Sequence, residues 1–294
     1  MDAQQRPKIK SSTLADPTLR DYKIVGGLET FANRSFWPAF FTKVANRKQW
    51  DAAAIDFAPD VRAWAELPDE RRRRLTTILA GFRVAEDAVA EEITPFVAAV
   101  RRETLASQES LMAWTFSLQR RDEERHARLF DRIAAELLQL PGETPAERRA
   151  AAREYAPPGI LELFEEELPT VTAELATGGS RLLDGVSLYH MLLEGVVFNA
   201  GTQALLDETA DGSMPGLRVG VERIERDERW HVGFGLRCLI ETEPSQAHID
   251  DLIARAGAAA EAWGDAVPAA TRERSARTCA HRLHVSGFTE TRAA

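Results

Sequence analysis

The chain has 294 residues, 44% of them hydrophobic and 28% charged, which suits a globular protein with one large domain rather than a fibrous or disordered chain. A net charge of −9, without a basic stripe interleaved with aromatics, argues against a nucleic-acid partner. No apolar run approaches the roughly eighteen residues of a membrane span, no signal-peptide core opens the chain, and Cys238 and Cys279 are too few for a disulfide framework, so buried thiols in a reducing cytoplasm are expected.

Residues 1–30 are polar and aperiodic and read as a disordered tail. One domain is expected over 31–270. It opens with an aromatic-rich stretch from Phe31 to Trp50 that would cover the rest, then a turn and a short helix near Asp56 to Ala65. Leu67-Pro68-Asp69-Glu70 is a helix start, with proline in the first turn and acids at its positive end. The helix predicted from Pro68 to about Leu105 carries Leu79, Phe82, Val89, Ile93, Phe96 and Val100 at the three-to-four spacing of a buried face. Glu86 falls on that stripe, whereas Glu91 and Glu92 lie nearer its polar edge. Pro95 is expected to bend this helix without ending it.

A second helix, about Glu109 to Leu138, puts Met112, Phe116, Gln119, Glu123, His126, Phe130 and Ile133 on one face. Its apolar stripe thus holds a carboxylate and an imidazole, until Leu140-Pro141-Gly142 stops it. An alanine- and arginine-rich helix, a Pro157-Pro158-Gly159 break and a helix that Pro169 kinks or divides lead to Gly178-Gly179. The next helix, from near Arg181, bears Glu194, the only acid between Asp184 and Asp207. The helix from about Leu217 to Thr242 bears Glu228 and His231. One more helix runs to about Trp263, and residues 271–294 read as a polar tail.

Glu123 and His126, and again Glu228 and His231, lie three positions apart and so fall on one helix face about a turn apart. One Glu-x-x-His is common. Two of them about a hundred residues apart, with single glutamates on two further helices, form the ligand set of a dinuclear metal site inside a four-helix bundle. A buried carboxylate without a partner either takes up a proton or binds a cation. Four carboxylates carry −4 and two divalent metals +4, so the set balances. Carboxylate and imidazole suit iron and manganese, and such a centre can activate O2. His190, His248, His281 and His284 have no partner at ligand spacing and are read as surface or supporting residues.

The pieces AEDAVAEEITPF from Ala85, RDEERH from Arg121, YHMLLEG from Tyr189 and ERDERWH from Glu225, with QWDAAAIDFAPDVRAW around Trp50 to Trp64, resemble the small subunit of ribonucleotide reductase and, more closely, its relatives the manganese/iron ligand-binding oxidases. The resemblance spans roughly residues 45–240. It implies an all-α, ferritin-like four-helix bundle with additional helices, a Mn/Fe or Fe/Fe cofactor, a fatty-acid-like apolar ligand and a homodimer. It also implies roles. Glu86, Glu123 and His126 would bind one metal; Glu194, Glu228 and His231 would bind the other, with Glu123 bridging. Asp227 would hydrogen-bond His126, with Trp50 beyond it. Val89 and Tyr189 match the pair that the oxidases join by an ether cross-link.

The reductase reading meets Phe130 where the radical tyrosine belongs and finds no tyrosine in the C-terminal tail, although some reductases do carry phenylalanine there. An amine N-oxygenase would have a further histidine four residues before the second Glu-x-x-His, where this chain has Ile224. A ferritin-like storage protein would not need the Val89/Tyr189 pair. The 37 positions from Glu86 to Glu123 exceed the family's expected step by about one helical turn, which leaves Glu92 as the alternative first ligand.

Overall fold

The structure, a computed structural model, describes residues 37–47, 49–103 and 106–285. The expected N-terminal tail, Phe31 and Phe36 lie outside these residues. Every regular element among them is helical: α1 (Trp37–Arg47), α2 (Ala58–Glu66), α3 (Asp69–Glu92), α4 (Thr94–Glu103), α5 (Ala106–Arg132), α6 (Pro145–Ala152), α7 (Pro158–Leu161), α8 (Leu168–Thr177), α9 (Leu182–Val186), α10 (Asn199–Glu208), α11 (Pro215–Glu241), α12 (Gln246–Ala260) and α13 (Ala269–Val285). Three π-helical stretches interrupt them, at Ile133–Leu137, Glu162–Glu167 and Ser187–Phe198.

The bundle is made by α3, α5, the continuous α9–π–α10 rod and α11. α3 packs along α5, the π stretch packs on α11, and α11 also meets α5. Helix ends are fixed locally. Thr144 and Glu147 make a reciprocal capping box at the start of α6, and Gly178 takes φ +84° to end α8, a conformation that costs glycine little. Asp60 accepts from the backbone N–H of Gly216 and Leu217 at 2.9 and 2.6 Å, so a side chain of α2 caps α11. A Cβ at Gly235 would sit 2.1 Å from His190, so the missing side chain is what lets α11 approach the π stretch this closely.

The first long helix is interrupted for one residue at Ile93, which keeps near-helical dihedrals (φ −78°, ψ −23°), and resumes at Thr94; Pro95, which has no N–H to donate to the preceding turn, kinks the rod there without ending it. One boundary differs from the sequence reading. The expected polar tail from 271 is helical through Val285, with residues 286–294 outside the description. Thr271, Ser275, Cys279 and Leu283 recur every four residues and are buried. Three of the four are small or polar, so the helix has a buried stripe without the large apolar residues that announce one. Both cysteines are buried free thiols. No helix among the described residues is long and apolar enough to cross a membrane.

Candidate metal centre

The four rods bring their acids to one place. Glu86, Glu123, His126 and His231 are fully buried, Glu194 is 1% exposed and Glu228 7%. Glu86, Glu123 and His126 offer ligand atoms all within 4.8 Å of one another, and so do Glu123, Glu228 and His231. Glu123 is common to both groups and lies between them. The fourth acid, Glu194, stands with its Oε1 3.4 Å from His231 Nδ1. Glu92 points elsewhere: it is half-buried and accepts a hydrogen bond from Thr172 of α8. The structure therefore brings Glu86, not Glu92, to the cluster.

Both imidazoles present Nδ1 to the acids. His126 Nδ1 is 3.6, 3.3 and 3.4 Å from oxygens of Glu86, Glu123 and Glu228. His231 Nδ1 is 3.1 Å from Glu123. Atoms bound to one ion at about 2.1 Å stand about 3 Å apart at right angles, close to these separations. His126 Nε2–H donates to Asp227 Oδ2 at 3.3 Å, which fixes the tautomer and leaves the Nδ1 lone pair facing the acids. Both oxygens of Glu86 and Glu228, Glu123 Oε2, Glu194 Oε2 and both Nδ1 atoms are buried without a hydrogen-bond partner. So many orphaned polar atoms in one place would cost several kcal/mol each unless a cation meets them. The donor set, carboxylate oxygen with imidazole nitrogen, fits two ions of the iron and manganese type.

Without a cation, the charges distort one another. Burial pushes the Glu86 carboxyl up to about 8 and that of Glu194 well above its usual range. Glu123 is raised by burial but lowered more by His231 and His126, so it stays ionised. Burial raises the Tyr189 hydroxyl too, and the four surrounding carboxylates add to this.

The supporting residues form a crossed pattern. Asp227 on α11 accepts from Trp50 Nε1 at 2.7 Å, Arg125 at 3.0 Å and His126 of α5. Asp122 on α5 accepts from Arg125 at 2.6 Å and Trp230 Nε1 at 3.1 Å, and faces His231 of α11 at 3.6 Å. Each copy is thus Asp-Glu-x-x-His, with its aspartate serving the other copy's histidine. Sequence reasoning found Asp227 and Trp50 and missed Asp122, although the aspartate before the glutamate is visible in both copies. It also passed over Gln119, which shares the Glu123 face. Gln119 Nε2 donates to Glu194 Oε1 at 2.7 Å and lies 3.3 Å from Glu123, while its Oε1 accepts from His190 Nε2–H at 3.1 Å. Burial drives His190 down to about 3, so this imidazole is neutral. His190 is a buried supporting residue, caged by Phe96, Phe116 and Phe234.

Tyr189 donates to the Val89 carbonyl at 3.4 Å and to Glu123 Oε1 at 3.3 Å, and both residues are fully buried. Phe130 stacks on Phe82 with centroids 4.9 Å apart and offers no hydroxyl to the cluster. A cavity of about 300 Å³ reaches Glu194 and Glu228 from between α10, α11 and α13.

The family model for the ribonucleotide reductase small chain matches residues 31–273. Among solved structures, an R2-like ligand-binding oxidase from Sulfolobus acidocaldarius is 24% identical, with a TM-score of 0.70 over 89% of this chain and 94% of that one. A tyrosine-to-phenylalanine variant of an R2-like ligand-binding oxidase with aerobically reconstituted Mn/Fe cofactor is 20% identical, with a TM-score of 0.70 over 90% of this chain and 99% of that one. A glycine-to-leucine variant with an Fe/Fe cofactor has the same identity, coverage and TM-score.

Proposed function

Because the chain belongs to the ribonucleotide reductase small-chain family, we propose that it is an O2-activating oxidase with a dinuclear Mn/Fe or Fe/Fe centre. The observation that carries this reading is the set of orphaned oxygens and Nδ1 atoms on Glu86, Glu123, His126, Glu194, Glu228 and His231. Glu86, Glu123 and His126 would hold one ion. Glu194, Glu228 and His231 would hold the other, with Glu123 shared. Two such ions, when bound, supply the electrons that reduce O2.

The chain's own residues do the rest. Asp227 orients His126 and keeps its proton on the far nitrogen, and Asp122 places a negative charge 3.6 Å from the far nitrogen of His231. Gln119 occupies one oxygen of Glu194 and leaves the other free to bind. The apolar shell of Phe82, Phe96, Phe116 and Val89 excludes water from the Glu86 side. Tyr189 keeps its proton and hydrogen-bonds the bridging glutamate. Among the described residues it is the one tyrosine at the cluster, since Tyr155 is 47% exposed. An oxidase reading uses that tyrosine; a tyrosyl-radical reductase would need one at Phe130. The N-oxygenase alternative lacks its extra ligand, because Ile224 is a buried aliphatic.

Two measurements test this. Metal analysis with anomalous diffraction at the iron and manganese edges should find two ions at the six ligands. Mass spectrometry after aerobic loading should find peptides joined through Val89 and Tyr189, lighter by two hydrogens. The Val89 Cβ–H and the Tyr189 O–H are lost, a C–O bond forms, and O2 takes the two electrons and two protons. Two unmodified peptides after full loading and O2 exposure would return the protein to the wider class of dinuclear oxygenases.

A further inference from the structure

His190 stands four residues before Glu194 in the π stretch and is fully buried. Three elements hold its ring, through Phe96 of α4, Phe116 of α5 and Phe234 of α11, and its Cβ lies where Gly235 leaves room. We propose that His190 is a positioning residue for the Glu194/His231 metal position, and for that position alone, acting through Gln119. This rests on the dinuclear reading above and names the residue that makes its two positions unequal.

The oxygens decide which position is served. Glu123 is split between the two: its Oε1 lies 3.1 Å from His231 Nδ1 and its Oε2 3.3 Å from His126 Nδ1. Gln119 Nε2 reaches Glu123 Oε1 at 3.3 Å and Glu194 Oε1 at 2.7 Å, and the latter oxygen is 3.4 Å from His231 Nδ1. Both contacts fall on the His231 side. Across the cluster, both oxygens of Glu86 lack a hydrogen bond, so that ligand is not held in the same way. Carboxylates that hold cations can only accept, so the amide must turn its NH2 to them and its Oε1 away. That oxygen meets His190 Nε2 at 3.1 Å. One neutral tautomer fits, with the proton on Nε2 and Nδ1 bare, and Nδ1 has no hydrogen-bond partner. Burial keeps the ring neutral, so it donates without adding a cation beside the centre. A reversed amide would set oxygen against oxygen at Glu194 and N–H against N–H at His190. The phenylalanine cage thus fixes the imidazole, the imidazole fixes the amide, and the amide leaves Glu194 Oε2 as the free ligand atom.

The test titrates full-length protein with manganese under nitrogen against a competing chelator. Anomalous diffraction at the manganese edge, at limiting metal, assigns each affinity to its position. His190→Phe keeps an aromatic ring in the cage and removes the donor. It should weaken binding at the Glu194/His231 position about tenfold, the low end for groups that orient a ligand, and leave the Glu86/His126 position unchanged. Gln119→Met should weaken the same position at least as much. The double variant should lose no more than Gln119→Met alone, because His190 acts only through that amide. His190→Gln, whose amide can donate in place of the imidazole, should restore most of the affinity; with Gln119→Met it carries the test whether or not the phenylalanine variant folds. Unchanged affinity in His190→Phe or Gln119→Met, equal losses at both positions, additive losses in the double variant, or no rescue by His190→Gln would each overturn the assignment while two bound ions leave the dinuclear reading standing. A wild-type protein that takes up no metal refutes the dinuclear reading, and this one with it.

Discussion

The two Asp-Glu-x-x-His copies on α5 and α11 have the same residues and the same helical geometry, yet their surroundings are opposite. The α3/α5 side is closed: Glu86, Val89, Glu123 and His126 have no exposed surface, and Trp50 stacks on His126. On the α11 side Glu228 keeps 7% exposure and, with Glu194, forms part of the wall of the cavity between α10, α11 and α13. In the proposed reading the duplicated ligands would set the metal count, and the closed half would meet only what is packed against it, Val89 and Tyr189.

The comparison breaks most severely at the shared acid. Glu123→Ala should empty both positions, and Glu228→Ala should chiefly empty the open one, as read by metal content per chain. Retention of both ions by the Glu123 variant would show that it is not the bridge. Next comes the closed half's own ligand. Glu86→Ala should lower metal content to about one ion per chain, since it removes a charge from a balanced set, while Glu92→Ala, which loses only the Thr172 hydrogen bond, should leave it unchanged.

The crossed aspartates should give smaller, unequal effects. Asp227→Asn should weaken metal binding about 10–100-fold, the usual range for groups that orient a ligand. Asp122→Asn should cost less, because its histidine lies at 3.6 Å rather than 3.3 Å. Competition with a chelator ranks them, and equal losses would argue that the two halves are equivalent.

The smallest effect is a slope. In metal-free protein, burial raises Glu86 to about 8 and also raises Glu194. Against the downward pull of burial, Glu86 and Asp227 raise His126. Glu86 and Glu194 hold protons that unfolded carboxyls release, so their stabilisation is full below about pH 4.5 and declines above it, for Glu86 until about pH 8. That of His126 is full below about pH 6.5 and declines above it, each group at up to about 1.4 kcal/mol per pH unit and proton. Glu123 has the opposite sign, but its contribution is lost only as pH falls below the ordinary carboxylate range, outside this window. Urea midpoints of metal-free protein should therefore fall between pH 5 and 8, and metal loading should flatten the slope. A rising midpoint over that range would mean the acids are ionised without metal.

By itself the sequence picked out the residues that the structure gathers into one buried cluster. A glutamate and a histidine three apart on an apolar stripe, twice, with Glu194 isolated among apolar neighbours and Glu86 in stripe phase, is a local pattern, and helical periodicity makes local patterns legible. Asp122 was legible in the same way, through its repeat at Asp227. Four features were not, because each depends on what lies across the bundle. The crossing of the aspartates is a relation between two helices. The end of the domain was hidden because α13 buries Ser275 and Cys279 rather than large apolar residues. The relation of Tyr189 to Glu194 was hidden because an α-helix puts residues five apart about 140° away from each other. The π-helical Ser187–Phe198, with its i→i+5 pairing, brings them back about one turn apart. Packing against α11, which Gly235 permits at close range, accompanies that wider turn. The cavity beside Glu194 and Glu228 likewise exists only where α10, α11 and α13 meet. Residue identity fixes what can bind a metal; only the tertiary contacts decide which side of the metal a substrate can reach.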